Sequence, residues 1–366
     1  MQCRQKLAYM VISGEMNLSE AARQFGVSRP TAHKWVQRAL VVGVENLAEQ
    51  SRAPHRQPRH TEQAIIEQIL ALKRAYPRWG AKKLHALLWP PDGAEEAPIC
   101  VRTTDRLLRR RGLVIPRGVS KPAVGRFERG ASNELWQLDF KGIEKRWDYI
   151  PLSVLDDHSR FCLALHPAMT TSGPAVWNVL WDAFGEFGLP ECILCDNYAS
   201  FNSLRSPGPT WLQSRLWLLG IKTCHGRPAH PQTQGKVERF HKTLEEEAHD
   251  LIRQPNIPSA FQAFKTFRQS YNWVRPHEAI GMKPPGAVYQ PSERIRPSQP
   301  PKHELPEGAL VRKVDCNGRF TIRCRKYQVG QGLAGQHVEI REEEEGLAAY
   351  FAGIRIAAIE EIRLTF

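Results

Sequence analysis

The order of strand-like and helix-like stretches in the middle of this chain is the feature that most restricts its fold. The apolar stretches ELWQLDFKGI (134–143) and YIPLSVLDDHSRFCLALHPA (149–168) predict three strands, the last two joined by a tight turn. An amphipathic helix follows at 172–188, and short strands near 191–197 and 221–226 then alternate with helices. Three strands followed by alternating helices and strands predict a mixed α/β sheet with helices on its faces.

Proline-rich stretches separate this α/β segment from the rest of the chain. The stretches SRAPHRQPRH (51–60) and QPSERIRPSQPPKHELPEG (290–308) lack apolar periodicity and contain enough proline to prevent helix and sheet. A softer boundary lies near 117–132. We therefore predict four domains, which cover residues 1–50, 61–116, 133–290 and 305–366.

The first domain contains two short helical patterns around a tight turn, LSEAARQFGVSRPTAHKWVQRAL (18–40). Ser19 and Ser28 are of a type that caps helices, and Pro30 falls in a first helical turn, where its missing N–H costs little. Gly26 lies at the turn. The pattern resembles a helix-turn-helix, whose second helix enters the DNA major groove, although an ordinary helical hairpin would look the same. The side chains predicted to face DNA are Arg29, Thr31, Lys34 and Arg38.

The second domain is also helical, and its last helix, within VRTTDRLLRRRGLV (101–114), is rich in arginine. We predict that Arg106, Arg109 and Arg110 contact DNA phosphates. Arginine runs also occur on helix faces that meet only solvent, and that alternative stays open.

The location of the positive charge supports a polyanionic partner. The formal net charge is +13 at pH 7, and residues 1–130 contain 23 Lys and Arg against 11 Asp and Glu. A basic excess confined to the first third favours double-stranded DNA as the partner there. A basic surface that only keeps the protein in solution is the alternative.

The tail from residue 309 has short alternating strand patterns. Asn317-Gly318 is a strong signal for a hairpin turn between two of them. We predict a small all-β, SH3-like barrel.

Two further features concern the compartment. No apolar run approaches 18 residues and the chain does not start with a basic and then apolar stretch, so we expect neither a membrane span nor a signal peptide. The eight cysteines lack the spacing of a disulfide framework, which is typical of reduced thiols in the cytoplasm.

Three carboxylates stand where the α/β domain should bring strand ends and helix starts together. Asp139 ends the first strand, Asp196 closes the strand ECILCD, and Glu238 lies in the first turns of a later helix. Catalytic groups collect at such positions, so we expect the three to converge. Clustered carboxylates need counter-charge to stay ionised, and hard cations such as Mg²⁺ or Mn²⁺ prefer oxygen ligands. Two such ions form the usual arrangement for in-line attack on a phosphodiester.

The helix that carries Glu238 has two distinct stripes. Val237, Phe240 and Leu244 recur at three- and four-residue steps and should be buried. Glu238 and Lys242 lie on a stripe rotated by roughly 100° from the first. We therefore expect Glu238 at the edge of a cleft, with Lys242 one turn further along and able to meet a phosphate.

Other polar residues near these strands have simpler explanations than catalysis or metal binding. Asp156 and Asp157 lie at a turn between strands, where Asp is common. Cys192 and Cys195 form a C-x-x-C, but residues three apart on a strand point to opposite faces, so we predict buried thiols rather than a zinc site. His230 and His241 could approach the three carboxylates, and for either we expect a hydrogen-bonding role rather than metal ligation.

Several stretches together carry a family resemblance. WQLDFKG, PLSVLDDHSRF, CDNYASF and HGRPAHPQTQGKVERFHKTL resemble the integrase-type catalytic core of bacterial insertion-sequence DDE transposases, which are relatives of retroviral integrases. The HPQTQGKVERFHKTL run is highly specific, and YNWVRPHEAIGMKPPGAVY (271–289) resembles the segment that closes that core. The resemblance is strong over about residues 133–290, whereas the helical and β domains match the family's layout more loosely.

The resemblance implies an RNase H-like fold with a metal-bound DDE triad, formed here by Asp139, Asp196 and Glu238. It implies a transposase that uses two Mg²⁺ or Mn²⁺ ions to cut the ends of its element and to join the freed 3′-OH to target DNA. Lys236 and Lys242 would hold DNA near the cleft. Because two ends must be handled together, we expect at least a homodimer on DNA, in the bacterial cytoplasm and associated with the nucleoid.

Two features depart from the family pattern. Tyr198 stands where the family usually has glycine, and the interval between Asp196 and Glu238 is longer than is typical. Two alternatives to an active transposase therefore stay open. One is a catalytically impaired relative that binds DNA as a repressor or architectural protein, and the other is a nuclease that cleaves without joining strands.

Overall fold

The protein is described by a computed structural model that covers residues 2–48, 61–115, 128–142, 149–195, 208–225, 235–249, 253–344 and 346–359. The chain divides into two compact units, Met1–Thr61 and Glu62–Phe366. The limits of the four domains drawn from the sequence stay a prediction.

The first unit contains three helices around a small apolar core. They are α1 (Cys3–Ile12), α2 (Leu18–Gln24) and α3 (Arg29–Val42). The buried side chains at the centre of this core are Leu7, Ala21, Ala22, Ala32 and Val36. Small alanines on the facing helices let α2 approach α3 closely, as a helix-turn-helix requires.

The helix starts in this unit follow capping rules, with one correction to the sequence prediction. Ser28 caps α3 and Pro30 lies in its first turn, as predicted, while Gly26 has φ +63° at the turn. Ser19 does not cap α2, because the helix begins two residues earlier. Asn17 is the cap, and it forms a reciprocal pair of hydrogen bonds with Glu20 that satisfies two otherwise free backbone N–H groups.

The second unit begins with another group of three helices. They are α4 (Gln63–Ala75), α5 (Ala81–Leu88) and α6 (Val101–Arg110). Their common core is apolar, and its buried members are Ile66, Ile69, Trp79, Ala81, Leu84, Leu107 and Leu108. On α6 the arginines lie on the opposite face from Leu107 and Leu108, so the helix is strongly amphipathic.

An α/β domain follows in the same unit. Its strands are β1 (Trp136–Phe140), β2 (Ile150–Asp156), β3 (Cys162–Ala168), β4 (Cys192–Cys195) and β5 (Lys222–His225). Its helices are α7 (Gly173–Phe187), α8 (Trp211–Leu218), α9 (Gly235–Ala248) and α10 (Ile257–Trp273). The alternation predicted from the sequence is confirmed.

These strands form one mixed sheet with the order β3-β2-β1-β4-β5. The first three strands are antiparallel neighbours, whereas β4 runs parallel to β1 and β5 runs parallel to β4. Strand β1 therefore lies in the middle, with Asp139 opposite Ser153 of β2 and Leu138 opposite Cys195 of β4. Asp139 is thus on the central strand of the sheet, and Cys195, the last described residue of the neighbouring strand, precedes the second predicted aspartate in the sequence.

Each face of the sheet is covered by helices. One face packs against α7 and α8 through a core that includes Trp136, Leu152 and Phe184. The other face packs against α9 and α10, where Phe240 and Phe264 are buried. A sheet covered on both faces explains why β2 and β3 are apolar along almost their whole length instead of alternating.

The proline-rich residues 290–308 contain neither helix nor strand, as predicted, and they lie along the α/β domain. The N–H of Leu189 donates to the carbonyl oxygen of Arg294 (2.7 Å), and the Arg294 guanidinium donates to the carbonyl oxygens of Pro190 (2.6 Å) and Leu219 (3.0 Å). The guanidinium of Arg296 lies over the ring of Trp181 at 4.5 Å. These contacts fix the segment against the domain.

The C-terminal part is all-β, as predicted. Its strands are β6 (Leu310–Lys313), β7 (Arg319–Ile322), β8 (Arg325–Gln328), β9 (His337–Glu343), β10 (Gly346–Phe351) and β11 (Ile354–Ile359). They form a four-stranded sheet, β11-β10-β9-β6, and a two-stranded sheet, β7-β8, around a shared apolar core. Trp217 and Leu218 of α8 pack against this core.

The predicted hairpin at Asn317-Gly318 is wrong. These residues form a turn between β6 and β7, but the described strands on its two sides belong to different sheets. The hairpin turn is formed instead by Arg323 and Cys324, which both have positive φ and join β7 to β8. In the part of the chain that the structure describes, no helix has the length and apolar character needed to cross a membrane.

Candidate active site

The first predicted carboxylate lies on the central strand of the sheet. Asp139 is flanked by the buried residues Leu138 and Phe140, and its side chain is 16% exposed. This alternation directs Asp139 away from the α7 side, where its two neighbours pack. Its carboxylate therefore faces the side of the sheet that α9 covers.

Helix α9 has the two stripes that the sequence predicts. Val237, Phe240 and Leu244 are buried against the sheet and α10, whereas Glu238 and Lys242 are exposed. Because Glu238 comes directly after the first buried residue of the helix, it lies at the margin of the packed face. The prediction of a buried stripe with an adjacent polar stripe is confirmed.

An open cleft of about 570 Å³ separates this margin of α9 from the end of β1. Glu238 and Lys242 line it from the helix, and Lys141 and Gly142 line it from the strand. The cleft therefore contains charges of both signs, as a site for a phosphodiester and a cation requires.

His241 connects the strand and the helix at the inner end of this cleft. Its Nε2 lies 3.0 Å from the hydroxyl oxygen of Ser153, and its Nδ1 lies 3.6 Å from Oδ2 of Asp139. Burial, assisted by the positive charge of Lys141, lowers the pKa of His241 to about 3. The imidazole is therefore neutral near pH 7, and the hydrogen-bonding role expected for it agrees with its contact to Ser153.

Lys141 was not among the residues selected from the sequence. It forms an ion pair across the cleft with Glu245 of α9, and the Lys141 side chain is only 13% exposed. Hydrogen bonding to Lys141 lowers the pKa of the Glu245 carboxyl. The sequence does show a lysine two residues after Asp139, which could have marked Lys141 as a site residue. It does not show that this lysine pairs with Glu245 of α9.

The two lysines of α9 that were predicted to contact DNA have different surroundings. The Lys242 side chain is 63% exposed at the cleft, and its Nζ lies 3.8 Å from Glu246. The Lys236 side chain is 15% exposed, pairs with the Asp157 carboxylate and donates to the Asp157 carbonyl oxygen (3.0 Å). The structure thus places Lys242 at the cleft and Lys236 against the turn that follows β2.

The adjacent acids Asp156 and Asp157 organise that turn. Both are buried. Asp156 accepts hydrogen bonds from the N–H groups of Asn133 (2.7 Å) and Ser159 (2.8 Å) and from the Ser159 hydroxyl. Burial raises the pKa of Asp156 even though these bonds act in the opposite direction. The interpretation of this pair as turn residues is consistent with these contacts.

The second predicted carboxylate, Asp196, and the neighbouring Tyr198 lie outside the described residues, as does His230. The last described residue before Asp196 is Cys195, which is paired with Leu138, the residue before Asp139. Within the described ranges, no group of three His, Cys, Asp or Glu side chains is arranged to hold a metal ion. The donor types nevertheless fit a hard cation, because Glu238 is a carboxylate that lines the cleft and Asp139 is a carboxylate in contact with His241, which also lines it.

The cysteines behave mostly as the strand geometry predicts. Cys195 belongs to the core on the α7 side, whereas Cys192 packs in a separate small cluster with Leu135 and Leu194. The two therefore do not converge. The sequence does not reveal that the Cys192 and Cys224 sulfurs, on neighbouring strands, lie 2.7 Å apart.

The residues predicted to face DNA lie on the expected helices. On α3, Arg29 and Lys34 are exposed, while Thr31 and Arg38 are half-buried. The Thr31 hydroxyl is 2.8 Å from that of Ser28, and the Arg38 guanidinium lies 5.5 Å from the centre of the Trp35 ring.

On α6, Arg106, Arg109 and Arg110 are all exposed. Arg109 forms an ion pair with Asp105 (2.7 Å), one turn earlier on the helix. The contacts of α3 and α6 with DNA stay predictions.

Four parts of the chain match known domain families. The family described as "Integrase core domain" matches residues 130–231 and, in a second form, residues 219–285. The family "IS481 family transposase, C-terminal domain" matches residues 309–361. The chain thus contains an integrase core domain followed by a C-terminal domain of the IS481 transposase family. Its α/β domain is accordingly an integrase core of the RNase H-like type, and a "Homeodomain-like domain" matches residues 31–108, from within α3 to α6.

Similar proteins occur in bacterial insertion elements. An uncharacterized 39.2 kDa protein of insertion element IS476 from Xanthomonas euvesicatoria is 25% identical over 235 residues, which is 62% of this chain and 65% of that protein. An uncharacterized 31.7 kDa protein of insertion element IS407 from Burkholderia multivorans is 24% identical over 236 residues, 62% of this chain and 81% of that protein.

Solved structures with some similarity include retroviral integrases. The HTLV-2 integrase catalytic core domain in complex with magnesium covers 44% of this chain and 99% of its own, with 18% identity and a TM-score of 0.36. The simian T-cell lymphotropic virus intasome in complex with the PP2A regulatory subunit B56 gamma covers 80% of this chain and 99% of its own, with 14% identity and a TM-score of 0.40. Both similarities are low, so the core is identified from its matched family domains and its strand order and not from these structures.

Proposed function

We propose that this protein is a DNA transposase that cuts the ends of its own element and joins the freed 3′-OH ends to target DNA. The observation that carries the proposal is the junction of β1 and α9 at His241. Asp139 approaches His241 from the strand, and Glu238 lines the same cleft as His241 from the first turn of the helix. One carboxylate of the integrase core thus lines an open, charged cleft, and a second contacts a histidine that lines the same cleft.

The proposed active site combines these two carboxylates with Asp196. Together Asp139, Asp196 and Glu238 would hold two Mg²⁺ or Mn²⁺ ions, which supply positive charge to the attacking and leaving oxygens when bound. Lys242, exposed at the cleft, would contact a phosphate of the bound strand. His241, neutral near pH 7, would keep the end of β1 in contact with α9.

Two successive phosphoryl transfers make up the proposed reaction. In the first, a water oxygen bonds to the phosphorus at the element end, the bond to the 3′ oxygen breaks, and that oxygen leaves as a 3′-OH. In the second, this 3′-OH bonds to a phosphorus of target DNA and displaces the 3′ oxygen of the target strand. Each step breaks one phosphodiester bond, and the second also forms a new one, so no energy-rich cofactor is needed.

The test of this proposal is a two-stage assay with the full chain and a duplex that carries the element's terminal sequence. We expect nicking at the end in Mg²⁺ or Mn²⁺, loss of nicking in EDTA, and transfer of a pre-cut 3′-OH end into a target plasmid. Nicking without transfer would identify a nuclease. End binding without either reaction would identify a DNA-binding relative and would overturn the enzymatic proposal.

The proposed recognition of DNA by α3 has its own prediction. The double change Arg29→Ala and Lys34→Ala should weaken end binding roughly tenfold and reduce the slope of log K against log salt by about 2, since two phosphate contacts are lost. Fluorescence anisotropy at several salt concentrations measures both quantities. Lys265→Ala, a change at an exposed lysine of α10, serves as the control and should leave the slope unchanged. An unchanged slope in the double variant would exclude α3 as a phosphate-binding helix.

A further inference from the structure

Glu247 lies at the opposite end of α9 from Glu238, nine residues along the helix. At the helical rise this separation is roughly 13 Å. The Glu247 side chain is only 12% exposed. A buried carboxylate is costly unless it is well paired, so its partners indicate what it does.

The partners of Glu247 come from two different parts of the chain. From the segment after α10, Arg275 donates through Nε (3.0 Å) to one carboxylate oxygen and through Nη2 (2.9 Å) to the other. From the helical domain, which is formed by α4, α5 and α6, Trp79 donates through Nε1 (2.9 Å) and Lys83 through Nζ (3.3 Å). Burial acts against ionisation of Glu247, but the hydrogen bonds and positive charge of Arg275, with Lys83 and Trp79, together outweigh it and lower the pKa of this carboxyl.

Trp79 lies in the core of the helical domain and not on its surface. It is 3% exposed, lies in the same core as Leu84 and Leu108, and stacks on Tyr76 with the ring centres 4.0 Å apart. Leu108 belongs to α6 and shares this core with Trp79. A hydrogen bond that fixes Trp79 therefore also fixes the position of α6. Glu247 is thus hydrogen-bonded to the core of the helical domain, whose helix α6 carries the exposed arginines.

We call the contacts of Glu247 with Arg275, Trp79 and Lys83 the joint, and further contacts surround it. Val274, next to Arg275, packs against the core of the helical domain. Lys283 pairs with Asp92 (2.7 Å), and Lys82 pairs with Glu278. These outer pairs are exposed and contribute little each, whereas the bidentate bond at Glu247 has a fixed, planar geometry. The orientation of the helical domain on the core therefore depends mainly on Glu247 and the apolar contacts beside it.

We infer that Glu247 is a positioning residue, which sets the distance between DNA bound by α6 and the cleft at Glu238, and so selects the phosphodiester that is cut. The inference rests on the proposed function. One helix carries both Glu238 and Glu247, so the site of chemistry and the attachment of the DNA-binding helix are parts of one rigid element. A change at Glu247 would disturb the register of the cut without touching the reacting groups.

The test compares Glu247→Gln with wild type and with Glu186→Gln, which alters an exposed ion pair with Arg268 on the same domain. For Glu247→Gln we expect end binding within about twofold of wild type and a nicking rate at the normal position reduced roughly tenfold to a hundredfold. Nicks mapped at nucleotide resolution should spread to neighbouring phosphates. Glu186→Gln should cut at the normal position only. Normal rate and single-position cutting in Glu247→Gln would overturn the inference.

Hydrogen exchange provides a readout that does not depend on catalysis. Amides in residues 76–88 of the full chain should exchange roughly tenfold faster in Glu247→Gln than in wild type, because the joint opens more often. If that variant does not fold, Trp79→Phe removes one donor while keeping the ring against Tyr76, and the same two effects are expected in weaker form. Unchanged exchange and unchanged cut position in Trp79→Phe would overturn the inference.

The outcome for Glu247 is separable from the outcome for the proposed function. If Asp139→Asn still cuts DNA, the active-site assignment fails whatever the exchange data show. If Asp139→Asn is inactive but Glu247→Gln cuts at one position with normal exchange, only the inference about Glu247 fails.

Discussion

Asp139→Asn should abolish nicking of end-containing DNA, with a loss of roughly a thousandfold or more, while end binding changes by less than about twofold. The substitution keeps the size of the side chain and its place on β1 but removes the negative charge beside His241, which lines the cleft. Binding is expected to survive because the predicted DNA contacts of α3 and α6 are on other elements. Gel-based nicking at saturating Mg²⁺, with anisotropy for binding, separates the two effects.

The control for this variant is Asp182→Asn, the same change at an exposed position of α7 on the other side of the sheet. It should nick at the wild-type rate. The circular dichroism and thermal unfolding of Asp139→Asn should match wild type, so that lost activity is not lost structure. Nicking by Asp139→Asn within tenfold of wild type would remove Asp139 from the active site.

Features that depend on short stretches of sequence were predictable, and α9 shows why. The steps between Val237, Phe240 and Leu244 are fixed by the pitch of a helix, so burial of one stripe and exposure of Glu238 follow from spacing alone. The alternation of strands and helices was predictable for the same reason. Caps were less certain, because both Asn17 and Ser19 are capping residue types and only the backbone decides which one starts α2.

Features that depend on long-range pairing were not predictable from one sequence. Lys236 lies on the helix next to Glu238, and nothing local shows that its amine pairs with Asp157, a residue 79 positions earlier. Two adjacent acids at a turn between apolar strands partly indicate such a pairing, because a buried carboxylate requires hydrogen-bond donors or a cation beside it. The ion pair of Lys141 with Glu245 and the joint at Glu247 have the same origin. They arise from the packing of segments that are distant in the chain, which the sequence pattern does not contain.

The turn after β2 is where the largest loss of stability is expected. Asp156→Ala removes a buried acceptor and leaves three donors without it, the N–H groups of Asn133 and Ser159 and the Ser159 hydroxyl. Each buried unsatisfied donor costs about 1–3 kcal/mol, so we expect the free energy of unfolding to fall by about 3–5 kcal/mol. For a domain of this size the midpoint of thermal unfolding should fall by roughly 6–20 °C.

A matched control is available, because Asp315 also accepts two backbone N–H bonds in a turn, from Asn317 and Arg319, both at 2.9 Å. Asp315 is exposed, so water can replace its carboxylate, and Asp315→Ala should cost about 1 kcal/mol or less. Asn133 links the turn to the proline-rich residues 290–308, since its side-chain amide donates to the Gln290 carbonyl oxygen (2.7 Å). Asp156→Ala should therefore also speed hydrogen exchange at residues 131–136. Equal losses in the two variants would show that burial of Asp156 does not determine the strength of the turn.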